Sequence, residues 1–307
     1  MQNRRQFLAT SLTAAGLGLA ASHGLLADSP STSTLLTRPI PSSGERIPVI
    51  GAGTSGSFEA TPGTEKHELL KDVLKVFFEG GGSVFDTSPN YSGADEVLGA
   101  LLAEGGWRAR TFLATKIAAD SRADAEVQWA QSLKRLRTDK VELLQVHNLR
   151  EWKIQLPYAR ELQQQGKTRY VGVTHFVDRG LADLEQVMRS EKLDFIQIHY
   201  SVNSTNAAKT VLPLAQDKGI AVLVNRAFDD GKLFARVKDQ PLPGWAAEFE
   251  VTSWAQMFLK FALSHPAVTA VIPATGKPER QADQLKAGHG PLLSDARQRE
   301  LVAQFTG

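Results

Sequence analysis

Eight short runs rich in β-branched and other aliphatic residues recur along the chain, at 48–51, 83–86, 111–116, 141–146, 170–173, 195–199, 221–224 and 270–272, with longer stretches of helical periodicity between them. Strict alternation of this kind builds a parallel sheet covered by helices, because each parallel pair of strands needs a crossover connection. The helical stretches carry their own punctuation. Over 65–78, Leu69, Leu70, Val73, Leu74 and Phe77 fall at i, i+3 and i+4 spacing, and Gly80 follows as a stop. Ser121, with Asp124 three residues on, has the pattern of a reciprocal cap at a helix start.

Eight strand–helix repeats close more naturally into a single (β/α)8 barrel, the TIM-barrel type of α/β fold, than into a doubly wound open sheet, which carries fewer strands. Ahead of the first repeat, the segment 35–47 places two extended stretches around the turn Ser42-Ser43-Gly44-Glu45. It predicts a β-hairpin that closes the bottom of the barrel. A chain of 307 residues, 42% of them hydrophobic, buries a large core without covalent staples. The absence of cysteine excludes disulfides, thiolate catalysis and cysteine-bound metal. Its 35 basic and 33 acidic residues are interspersed, so no footprint for nucleic acid or a membrane surface arises. The expected partner is a small molecule, and the expected state a monomer.

The N-terminus has a different character. Asn3-Arg4-Arg5-Gln6-Phe7-Leu8 leads into an apolar run rich in Ala, Gly and Leu that ends near Ala21. That layout is a signal peptide, and the paired arginines match the address of the Tat export machinery. With Ser11, Thr13 and several glycines, the run is weaker and shorter than the ~20 apolar residues of a membrane span, which favours a removed signal over an anchor. The expected division is a Tat-type signal at 1–27, a linker rich in Ser, Thr and Pro at 28–37, and the barrel at 38–307, with the mature protein in the periplasm. Tat substrates cross folded, so a cofactor loaded in the cytoplasm can travel with the protein.

In barrels of this kind the reacting groups sit at the C-terminal ends of strands and in the loops that follow. Asp86 ends the second run, Tyr91 follows it, Lys116 ends the third run and His147 follows the fourth. Such a set suits proton donation to a carbonyl oxygen. A free tyrosine, with a pKa near ~10, is a weak acid at neutral pH. A neighbouring lysine cation lowers that value, a carboxylate keeps the lysine from being buried unpaired, and a neutral imidazole orients the carbonyl.

The segments Phe85-Asp86-Thr87-Ser88-Pro89-Asn90-Tyr91, Ala114-Thr115-Lys116 and Gln145-Val146-His147-Asn148 resemble, in order and spacing, the motifs of the aldo-keto reductases. The likeness runs from about Arg46 to Lys286. It implies that Tyr91, Lys116, Asp86 and His147 form the catalytic tetrad, that Tyr91 is the proton donor, and that NADPH, or alternatively NADH, supplies hydride for the reduction of aldehydes or ketones without metal. It also implies a cofactor-binding set. Thr174 and His175 correspond to the polar pair that holds the nicotinamide carboxamide, with His175 in place of the usual asparagine, and Gln197 matches the glutamine that fixes the same amide. Gly53, two residues past the first run, belongs to the same cofactor-binding set. Arg226 stands where the family usually places a loop and a stacking aromatic over the pyrophosphate. Thr275, Lys277, Arg280 and Gln284 match the segment around the adenosine 2′-phosphate and adenine, although Ala274 occupies the family's lysine position. The short loop after His147 and the end of the chain soon after the last helical stretch predict an open substrate pocket, finished by Trp152, Trp245 and Phe249.

Two readings follow from these residues: an exported carbonyl reductase, and an exported cofactor-binding sensor with little turnover. An unrelated hydrolase would need a metal cluster or paired carboxylates at the strand ends, and the sequence offers neither.

Overall fold

A computed structural model of the chain describes residues 34–306. The expected signal at 1–27, and residues 28–33 of the expected linker, lie outside the described residues. The fold reaches further back than residue 38. Leu35 is buried, the Leu36 N–H donates to Gly288 O at 2.9 Å, and Thr37 already belongs to a strand.

That strand, β1 (Thr37–Pro39), pairs antiparallel with β2 (Arg46–Pro48) in the register Arg38↔Ile47. Gly44, at φ +76°, supplies the left-handed residue of the turn between them. The hairpin is the predicted plug. Ile40 and Ile47 are fully buried and pack with Phe112, Leu143 and Tyr170 inside the barrel bottom. Arg38 anchors it from outside by donating to the carbonyls of Leu263 and His265, at the end of a helix.

Eight parallel strands follow in sequence order: β3 (Ala52–Gly53), β4 (Val84–Asp86), β5 (Phe112–Ile117), β6 (Val141–Val146), β7 (Thr168–His175), β8 (Phe195–His199), β9 (Ala221–Asn225) and β10 (Ala270–Val271). Bridges from Ile50 to Val271 and from Gly53 to Ala274 join the first strand to the last. The first barrel strand thus sits later than 48–51. Pro48 has no N–H for a ladder and ends the hairpin instead, while Val49 and Gly51 contribute single bonds to the seam. The run Gly51-Ala52-Gly53-Thr54-Ser55-Gly56 has the glycine spacing of a dinucleotide-binding turn, but no helix opens on it. The next helix, α1 (Glu65–Glu79), starts nine residues later, behind its own cap Thr64. At Gly53 a Cβ would stand 2.9 Å from Ile272 O, so glycine here serves the closure of the barrel.

The helices are α1, α2 (Ala94–Glu104), α3 (Arg122–Arg135), α4 (Trp152–Gln164), α5 (Leu181–Ser190), α6 (Val211–Asp217), α7 (Lys232–Arg236), α8 (Trp254–Leu263), α9 (Pro278–Lys286) and α10 (Asp295–Thr306). Ser121 caps α3 as its pattern predicts, accepting from the Asp124 N–H.

Strand period decides what reaches the mouth. On β5, Phe112 and Ala114 point into the barrel while Leu113 and Ile117 face the helices; on β9, Ala221 and Leu223 point in while Val222 and Val224 face out. Two residues further along each inward series stand polar side chains: Asp86, Lys116, Gln145, Thr174, Gln197 and Asn225. The barrel interior is therefore apolar up to its last layer, and polar there.

Candidate active site

Asp86, Lys116, Gln145 and Gln197 are all at most 3% exposed and form one hydrogen-bonded unit. The Lys116 ammonium donates to Asp86 Oδ2 at 2.6 Å and to Thr87 O at 2.8 Å. The other carboxylate oxygen, Oδ1, accepts from Gln197 Nε2 at 2.8 Å and from Gln145 Nε2 at 3.1 Å. Asn225 Nδ2 donates in turn to Gln197 Oε1 at 3.2 Å. Burial by itself pushes the Lys116 ammonium down, but the Asp86 charge and the Tyr91 phenol outweigh it, and the net shift is upward.

Tyr91 sits on the turn between β4 and α2. Ser92 and Gly93, both at positive φ, reverse the chain there. The turn brings the phenol ring over Lys116, whose Nζ is 5.1 Å from the ring centroid. The acidity of this phenol runs opposite to the expectation from sequence. Burial raises its pKa by more than Lys116 lowers it, and Asp86 adds to the rise. Tyr91 thus keeps its proton throughout the neutral range.

His147 stands edge-on to Tyr91, with ring centroids 5.8 Å apart. Burial, followed by the charges of Lys116 and Arg150, depresses its pKa to about 3, so the ring is neutral. Nδ1 is 3.1 Å from Ser88 Oγ, and that hydroxyl also accepts from the Asn90 N–H. An oxygen already accepting is best placed to donate its own proton to Nδ1, which leaves Nε2–H directed at whatever enters the mouth.

The expected nicotinamide set is placed less simply. Thr174 is buried, and its hydroxyl accepts the Asn148 N–H at 2.9 Å, holding the left-handed turn Asn148-Leu149 after His147. His175 lies against Gly180 and accepts from the Val177 N–H, away from the tetrad. Gln197 is in the mouth but tied to Asp86 and Asn225. Arg226 stacks over Phe176 at 5.1 Å and pairs with Asp230. At the far rim, Thr275 is buried and its hydroxyl accepts the Lys277 N–H, while Lys277 and Arg280 are exposed at the start of α9, whose first turn has no side-chain cap.

Several buried polar atoms along this path have no protein partner: Asn225 Oδ1, Arg226 Nε, Gln284 Oε1 and both amide atoms of Gln281. Unmet groups of this kind are costly to bury unless a ligand or water meets them. Together with the uncapped helix start and its two cations, they fit an extended polar ligand that carries an anionic group. Trp245 belongs to the core instead of the pocket: it is buried and donates to Glu300 on α10. Gln145, Asn225 and Ser88 are site residues that motif reading passes over. Their signal in the sequence is position alone: Gln145 and Asn225 stand two beyond the last apolar inward-facing residue of their strands, and Ser88 two beyond the end of β4.

Residues 49–302 match the family model described as the aldo/keto reductase family. The chain is 27% identical over 210 residues to the aldo-keto reductase YhdN of Bacillus subtilis, a match covering 62% of this chain and 61% of YhdN. It is 26% identical over 268 residues to the methylglyoxal reductase DkgB of Escherichia coli O157:H7, covering 84% of this chain and 92% of DkgB. The crystal structure of an aldo-keto reductase from Klebsiella pneumoniae in complex with NADPH superposes with a TM-score of 0.71 at 22% identity, over 85% of this chain and 92% of that one. With the family model covering most of the sequence and this barrel beneath it, the chain belongs to the aldo/keto reductase family.

Proposed function

We propose that the protein reduces small aldehydes and dicarbonyls to alcohols with a nicotinamide cofactor, and that it does so after export to the periplasm. One observation carries the chemical reading: a protonated phenol, Tyr91, over a buried ammonium, Lys116, that is itself held by the Asp86 carboxylate. The name of the similar DkgB, a methylglyoxal reductase, supports dicarbonyls as substrates.

A bound nicotinamide dinucleotide supplies hydride to the carbonyl carbon. The side chains of this chain manage the oxygen. Nε2–H of neutral His147 donates to the carbonyl oxygen and fixes its direction. As negative charge develops there, the Tyr91 hydroxyl delivers its proton. The phenolate left behind is stabilised by the Lys116 ammonium, whose charge is worth more in this dry site than in water. A raised phenol pKa in the resting site keeps the donor loaded, and the cation makes the transfer favourable only when the oxygen demands it. For the cofactor, Gln197 and Asn225 would hold the nicotinamide end, Arg226 the pyrophosphate, and Thr275, Lys277, Arg280 and Gln284 the adenosine end. The two cations of α9 favour NADPH over NADH.

The export reading rests on Arg4-Arg5 ahead of the apolar run, on the absence of cysteine, and on a fold that binds a dissociable cofactor. Among the described residues, no helix is long and apolar enough to cross a membrane.

Tyr91→Phe lowers kcat by about 10²-fold or more while leaving the cofactor dissociation constant unchanged; turnover at the wild-type rate removes the acid assignment. His147, at about 3 in the fold against an ordinary value of 6.5, is protonated more readily in the unfolded chain, so stability falls as pH drops through that interval. The slope is at most about 1.4 kcal/mol per pH unit for one proton. His147→Gln should lose less stability than the wild type between pH 6.5 and 4 in denaturant titrations, and parallel losses would show that the ring is not held neutral. Arg280→Ala weakens NADPH by about 1.5–3 kcal/mol and leaves NADH nearly unaffected; equal weakening in fluorescence titrations assigns Arg280 another role. In fractionated cells, the wild type reaches the periplasm shortened at its N-terminus, and Arg4→Lys with Arg5→Lys stays in the cytoplasm, because a receptor that reads the guanidinium pair does not accept lysine. Full export of that double variant would exclude the Tat route.

A further inference from the structure

Gln145 is completely buried at the mouth of the barrel and is given no part in the chemistry above. It stands two residues before His147 on β6, facing inward across the barrel to Asp86 on β4. Its Nε2 donates to Asp86 Oδ1 at 3.1 Å, and its Oε1 accepts from Gln197 Nε2 at 3.4 Å. Gln197, on β8, donates to the same Oδ1 at 2.8 Å. The two oxygens of Asp86 therefore have separate tasks: Oδ2 meets the ammonium, and Oδ1 is pinned by two amides from two other strands.

A carboxylate rotates easily about its last bond, since that torsion has a broad two-fold profile. With Lys116 as sole partner, the plane of the Asp86 carboxylate could swing, and the ammonium would follow it. Two amide donors on Oδ1 prevent this, and amides do not titrate, so the restraint holds at every pH. From this we infer that Gln145 is a positioning residue of the reaction: it fixes the plane of the Asp86 carboxylate, and through it the seat of the Lys116 ammonium beneath Tyr91. The inference rests on the reading of Tyr91 as the proton donor.

The charged and titratable groups around the pair are few. Lys116 is faced by Asp86 from β4, Tyr91 from the loop after it, and His147 from the end of β6, behind which lies Arg150. Burial lowers the pKa of the ammonium and Asp86 raises it. When the Asp86 contact loosens, burial gains, and Lys116 loses its proton at a lower pH.

Two variants test this. Gln145→Met keeps the volume and removes the donor. Its kcat should fall about tenfold or more, its cofactor dissociation constant should stay within about twofold, and the alkaline limb of kcat/KM should move to lower pH by about one unit. Gln145→Glu presents a carboxyl that, when protonated, can still donate to Asp86 Oδ1. Its activity should approach the wild type at low pH and decline as the introduced carboxyl ionises, with a midpoint above the ordinary carboxylate range because Asp86 opposes that charge. A merely structural role predicts loss of thermal stability in both variants without movement of either pH profile, and that result overturns the inference, as does wild-type kcat in folded Gln145→Met. If Gln145→Met does not fold, Gln145→Asn, which withdraws the amide by one methylene, takes its place under the same criteria. Tyr91→Phe in the same assay separates the two levels: if it remains active the acid assignment falls and takes this inference with it, whereas an inactive Tyr91→Phe beside a normal Gln145→Met overturns only the role of Gln145.

Discussion

The ion pair between Asp86 and Lys116 is the constraint on which the rest of the site depends. Removing two charges from water costs several kcal/mol per ion, and their attraction offsets this only when the remaining lone pairs and protons are also satisfied. Here they are: the carboxylate accepts from Lys116, Gln145 and Gln197, and the ammonium also donates to Thr87 O. Those groups come from β4, β5, β6 and β8, so four strands must be in register for the pair to exist. A barrel meets that requirement better than an open sheet, because closure brings strands that are not neighbours face to face across its interior. The hairpin plug at the other end, with Ile40 and Ile47 among the interior residues, keeps that interior dry from below.

Strain is concentrated where the polar layer meets the loops. Seven non-glycine residues at positive φ lie in the loops after β4, β6 and β9: Ser92, Asn148, Leu149, Glu151, Arg226, Asp229 and Asp230. Each such residue costs of order 1 kcal/mol or more. The first three flank the tetrad directly. Ser92 turns the chain after Tyr91, and Asn148 and Leu149 do so after His147, where Thr174 ties the turn to β7. The stability of the barrel thus holds the candidate catalytic side chains in places that the loops alone would not choose.

The architecture was legible in the sequence because it depends on counting, eight apolar runs and the periods between them. The cluster of Asp86, Tyr91, Lys116 and His147 was legible because each member stands at a strand end or in the loop after it. Other features were hidden by what sequence does not encode locally. The seam of the barrel at Gly51 and Gly53 is made by bridges to β10, more than two hundred residues away, so the first strand reads as starting at Pro48. The roles of Thr174 and His175 turn on whether neighbouring loops claim their polar groups, and here Asn148 and Val177 do. The acidity of Tyr91 was read from the lysine and without the burial that outweighs it. Proximity to lysine is visible in a motif, whereas the depth of burial that outweighs it exists only in three dimensions.

The site also separates tasks by solvent exposure. Asp86, Lys116, Gln145 and Gln197 lie in the buried layer, where low polarizability strengthens every charge interaction. Lys277 and Arg280, at the start of α9, are exposed, and there a cation acts on affinity through pairing that water and salt weaken. A change at the rim therefore leaves the phenol, the ammonium and the imidazole undisturbed. A change among Asp86, Lys116, Gln145 and Gln197 has no such freedom, because these four are already one another's hydrogen-bond partners.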